Sequence, residues 1–81
     1  MPDVPPTEVL VAFGRAVRRL RVDRGWSQER LAEEAAIHRT YVGDVERGLR
    51  NVSLVNIERL ARALSVDLPT LMAGVEAERR R

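Results

Sequence analysis

The chain has 81 residues, enough for one domain with a single modest core and too few for an enzyme built around a deep cleft. A composition that is 44% hydrophobic but only 4% aromatic suits helices packed through Leu, Val, Ile and Ala better than a sheet. With 14 basic and 12 acidic residues the net charge is only +2 and there is no Cys, so a nucleic-acid partner must be argued from where the charges lie, and disulfides and Cys-ligated zinc are excluded.

Every basic residue is Arg, a side chain that clamps phosphate or guanine bidentately where Lys acts as a point charge. No apolar run approaches the roughly 18 residues of a membrane span, and the N-terminus lacks a basic-then-apolar leader pattern. The expectation is a soluble cytoplasmic protein without membrane contact.

Residues 1–6, MPDVPP, read as an extended lead-in. Thr7 is a candidate cap for a first helix in which Leu10, Phe13, Val17 and Leu20 recur at helical spacing. Gly25 suits the left-handed position that ends it. Residues 27–48, SQERLAEEAAIHRTYVGDVERG, read as two short helices, 28–35 and 39–47, joined by a turn. On the second, Arg39, Thr40, Gly43, Asp44 and Arg47 share one side while Val42 and Val45 share the opposite one. The apolar side packs, and the polar side faces a partner. A fourth helix over 54–64 buries Leu54, Ile57, Leu60, Ala61 and Leu64, and a fifth starts at Leu68 with Pro69 in its first turn.

One entry signal repeats: an apolar residue before the cap and another at the fourth helical position. Trp26 and Leu31 flank Ser27, Ile37 and Val42 flank His38, Val52 and Ile57 flank Ser53, and Val66 and Leu71 flank Asp67. The expected architecture is all-α, a compact five-helix domain over residues 7–75 followed by a charged tail, 76–81.

Taken in order, SQERLA, RTYVGDVERG, RNVSL and LARAL make residues 13–71 resemble the helix-turn-helix class of phage repressors and their bacterial, XRE-type relatives. Within that class HRTY, ERG, RN and SLVNIE look closest to small stand-alone regulators, including the controller proteins of restriction-modification systems. Two positions depart from the pattern: Ala36 stands where the turn usually has Gly, and Val52 where Pro is frequent. A left-handed Ala36 costs about 1 kcal/mol.

The resemblance implies a sequence-specific, double-stranded DNA-binding regulator with the third helix in the major groove. Arg39 and Thr40, at the start of that helix, are the expected base readers, Arg39 bidentate to guanine, with Gly43 permitting close approach and Asp44 accepting from cytosine. Gln28 sits at a helix start suited to phosphate, and the family uses this position as a backbone anchor. Ser27, His38, Tyr41, Arg47, Arg50 and Asn51 are the other candidate backbone contacts. The resemblance also implies a structural ion pair between Arg21 and Glu46.

One such module makes few contacts and the family implies dimers, so a homodimer on a roughly palindromic operator is expected. The stripe Leu68, Leu71, Met72 and Val75 on the fifth helix is its candidate interface. His38, the single histidine, lacks fellow metal ligands, and no serine has a base beside it. No catalysis, metal, cofactor or small-molecule effector is expected. The competing reading is a protein-binding helical module, such as an antitoxin, whose polar face meets an acidic protein.

Overall fold

Five helices follow one another in the structure, a computed structural model that describes residues 7–81: α1 (Thr7–Asp23), α2 (Gln28–Ala35), α3 (Arg39–Glu46), α4 (Leu54–Ala63) and α5 (Leu68–Arg79). The lead-in expected over 1–6 lies outside the described residues. α2 and α3 pack on each other, α1 lies across α3 and α5, and α4 joins α2 to α5. No described helix is long and apolar enough to cross a membrane.

Each helix boundary has a local cause. Ser27, Ser53 and Asp67 cap α2, α4 and α5 by accepting from the backbone N–H three residues on, and His38 caps α3 by accepting from Thr40 through Nδ1. At their other ends the first four helices close in the same way. The residues in left-handed or glycine-type conformation are Gly25 (φ 69°), Ala36 (φ 57°), Gly48 (φ 75°) and Ser65 (φ 58°). The next residue in each case donates to a carbonyl five residues back: Trp26 to Arg21, Ile37 to Ala32, Leu49 to Asp44 and Val66 to Ala61. Trp26, Ile37 and Val66 therefore finish one helix and open the next, and all three pack against the core.

That core is built from Phe13 and Val17 of α1, Leu31 of α2, Val42 and Val45 of α3, Leu60 and Leu64 of the α4 end, and Leu71 and Val75 of α5. Small residues bring the helices close. A Cβ on Gly14 of α1 would stand 2.3 Å from the carbonyl oxygen of Val45, so α1 rests directly on the α3 backbone. Arg24 reaches from the α1–α2 loop to donate to the Leu64 carbonyl at 2.5 Å, satisfying an end of α4.

Three expectations need correction. Leu54 is 72% exposed, because it opens α4 and burial along that helix begins only at Asn56 and Ile57. Leu71 and Val75 are buried within this one chain; α5 spends them on closing the monomer against α1 and α4, leaving half-buried Leu68 and exposed Met72 of the expected interface stripe. Residues 76–79 continue α5 instead of forming a tail. Glu78 is buried and pairs with Arg19 of α1 at 3.2 Å, while Arg79 reaches Glu8 at 3.4 Å.

Candidate nucleic-acid interface

The start of α2 is anchored through a chain of side chains. Arg21 of α1 donates from Nε and Nη2 to the two oxygens of Glu46, at 2.6 and 2.9 Å, and from Nη1 to the Trp26 carbonyl at 2.7 Å. This bond to Glu46 is the main reason the Arg21 guanidinium is held above its usual pKa. Gln28, the first residue of α2, donates from Nε2 to the same Glu46 carboxylate at 3.0 Å. The amide of Gln28 is thus oriented from beneath by α3, and Ser27 beside it is exposed.

The polar side of α3 divides by position. Arg39 and Thr40 are exposed at its first turn, where the His38 cap fixes the backbone. Arg39 lies 3.3 Å, Nε to Oε2, from Glu29 of α2. The Glu29 carboxylate is held below its usual pKa by a hydrogen bond from its own backbone N–H and then by the charge of Arg39. Tyr41 is half-buried: the Arg50 guanidinium lies over its ring, 5.4 Å from the centroid, and its hydroxyl accepts from Asn56 Nδ2 at 3.3 Å.

Gly43 and Asp44 do not stand free on this surface. Gly43 is buried, and a Cβ built on it would lie 3.6 Å from Gln28 Oε1 and 3.7 Å from Arg47 Nη1; these side chains cover it, so it offers no open face to a base. Asp44, with 18% of its side chain exposed, accepts from Arg47 Nη2 at 2.5 Å and Arg50 Nε at 3.1 Å. With two guanidiniums on its oxygens it organises arginines rather than accepting from cytosine. Asn51 and Arg50 are exposed in the loop that follows α3.

Contacts therefore run continuously from α2 to the α3–α4 loop: Glu29 to Arg39, Gln28 over Gly43 beside Arg47, Asp44 between Arg47 and Arg50, Arg50 over Tyr41. Exposed guanidiniums of Arg39, Arg47 and Arg50 lie along this surface, the side chains that would meet an anionic partner. Glu29 and Asn56 are the participants that sequence reasoning missed. Neither stands out by spacing, since a Glu in the first turn of a helix is ordinary and an Asn in the first turn of α4 announces no partner on α3.

The chain matches the helix-turn-helix family over residues 17–71. Control protein C.BamHI of Bacillus amyloliquefaciens is 48% identical over 65 residues, 79% of this chain and 80% of that protein. Among solved structures, the restriction-modification controller protein C.AhdI from Aeromonas hydrophila aligns with a TM-score of 0.75 at 55% identity, covering 76% of this chain and 94% of its own. C.Esp1396I, another such controller, solved as a tetramer in complex with its natural 35 base-pair operator, aligns at 0.84 with 25% identity, covering 90% of this chain and 96% of its own.

Proposed function

The chain belongs to the helix-turn-helix family, and from that premise we propose that it is a sequence-specific transcription regulator that places α3 in the major groove of operator DNA. The observation that carries this reading is the continuous polar surface from the α2 start to the α3–α4 loop, with Arg39 and Thr40 exposed at the N-terminal end of α3. Arg39 and Thr40 read base edges. Ser27, Gln28, His38, Tyr41, Arg47, Arg50 and Asn51 hold the phosphate backbone, with Asp44 setting Arg47 and Arg50 side by side. Likeness to control proteins supports the controller of a restriction-modification system, acting on nucleoid DNA in the cytoplasm.

The regulator works as a homodimer, since one domain of this size makes too few contacts for tight specific binding. Leu49, Leu54 and Val55 are exposed by 65%, 72% and 60%. These three large apolar side chains, close in sequence and beside the DNA-contacting loop, are better placed for the dimer than α5, whose Leu71 and Val75 are already spent. A two-fold axis there gives inverted half-sites centred about 34 Å, one DNA turn, apart.

Selection from a random-sequence DNA pool, followed by salt-dependent gel shift, tests the reading. The expected product is an inverted repeat. Arg50→Ala weakens binding to all sequences and lowers the salt slope by about one per subunit. A protein that retains no DNA even at low salt refutes the reading in favour of a protein-binding module.

A further inference from the structure

An arginine in a base-reading position has five N–H donors and four flexible side-chain torsions, so what holds it before DNA arrives decides how selectively it reads. On this surface Arg39 is held at one point, where Nε meets Glu29 Oε2. The contact is an ion pair at 3.3 Å rather than an aligned hydrogen bond, and among the described residues Arg39 has no other ion pair and no side-chain hydrogen bond. The nitrogen engaged is the one nearest the aliphatic stem, and the two terminal nitrogens Nη1 and Nη2 stay open. Arg47 is held the other way, with terminal Nη2 engaged on Asp44.

We propose that Glu29 is a positioning residue for Arg39: by holding Nε it turns the end of the guanidinium outward, so that Nη1 and Nη2 together meet O6 and N7 of a guanine. The proposal rests on the reading of α3 as the recognition helix. Glu29 is suited to the task because its own base is fixed. It is the second residue of α2, between Gln28, whose side chain is tied to Glu46, and Arg30, whose backbone N–H is held by the Ser27 cap. Its carboxylate stays ionised at neutral pH, drawn to its own backbone N–H and to Arg39.

In the free protein both side chains are more than half exposed, and an ion pair of this kind contributes little to stability. A groove that displaces water strengthens it. The carboxylate also sets a preference among DNA contacts. It repels phosphate and competes with it for Arg39, whereas a guanine edge is uncharged and engages nitrogens the carboxylate does not use. Glu29 thereby favours base over backbone as the partner of Arg39.

The test compares Arg39→Ala, Glu29→Ala and the double variant on DNA selected by the wild type, scoring preference at each base pair, with folding followed by circular dichroism. The position read by Arg39 is the one at which Arg39→Ala loses its guanine preference. Glu29→Ala is expected to reduce that preference about tenfold, to leave other positions unchanged, and to bind random DNA as well as or better than the wild type. In the Arg39→Ala background it should have no further effect on preference. Full guanine preference in Glu29→Ala, with or without a uniform gain on all sequences, overturns the positioning role and leaves the reading of α3 intact; a uniform loss together with lost folding does the same. If Arg39→Ala keeps every preference, the reading of α3 fails and this inference with it.

Discussion

Arg21 and Glu46 form a two-pronged ion pair with 11% and 3% of their side chains exposed, 25 residues apart in sequence. The pair joins α1 to the end of α3, and Gln28 hangs from the same carboxylate, so the element that fixes the scaffold also orients the side-chain amide at the start of α2. Glu46→Ala strands the guanidinium among packed helices and is expected to cost about 3 to 5 kcal/mol, a large part of the stability of a small domain. Urea unfolding measures it. Replacing both residues together, Arg21→Met with Glu46→Leu, should recover much of the loss, because no charge is then left without a partner.

Ala36 and Ser65 hold left-handed conformations that glycine adopts without strain, and both are exposed. Each change to Gly is expected to stabilise the fold by about 0.5 to 1 kcal/mol, the relief of strain exceeding the added freedom of the unfolded chain. Thermal unfolding should rise by a few degrees for each, roughly additively, since the two sites close different helices.

Two glycines inside helices should respond in opposite ways. Gly14→Ala drives a Cβ to within 2.3 Å of the Val45 carbonyl oxygen and 2.7 Å of that of Glu46, backbone atoms with no rotamer to yield, and should cost about 3 kcal/mol or more as α1 lifts from α3. Gly43→Ala places its methyl at ordinary contact distance from Gln28 and Arg47 and should stabilise α3 by up to about 1 kcal/mol through helix propensity. Denaturant midpoints of the two variants on either side of the wild type are the expected outcome.

Asp67 caps α5, and its carboxyl is held below the usual aspartate range by the side-chain and backbone hydrogen bonds of Thr70. A carboxyl whose pKa is lower folded than unfolded contributes stability above the unfolded value and loses it as pH falls through the folded one. Acid should therefore loosen α5, and Asp67→Asn should flatten that part of the stability curve below pH of about 4. Unfolding followed across pH for both proteins checks it.

The helix borders were legible because they are written locally: Ser27, His38, Ser53 and Asp67 each bond a backbone N–H within three residues, and Trp26, Ile37 and Val66 mark the junctions. The polar side of α3 was legible for the same reason, its periodicity setting it opposite Val42 and Val45. Other features depend on what crosses from elsewhere. Nothing around Gly14 announces that α3 lies on it, and periodicity puts Leu54 in line with buried residues although α4 has not yet met the core there. Leu71 and Val75 looked surplus because one helix pattern does not reveal how much of α5 its own neighbours cover. Asp44 and Glu29 were misjudged or missed because their partners, Arg50 and Arg39, lie in other elements.

The packing of α1 against α5, with Arg19 on Glu78 and Glu8 on Arg79, also sets an order of events during synthesis. The apolar side of α1 emerges from the ribosome first and waits for Leu71 and Val75, which arrive after the whole helix-turn-helix has been made. A chain ending before α5 would hold all of α2 and α3 yet lack the Leu71 and Val75 that close the core over α1. Shortened chains of this kind are expected to be cleaved by proteases far faster than the full chain.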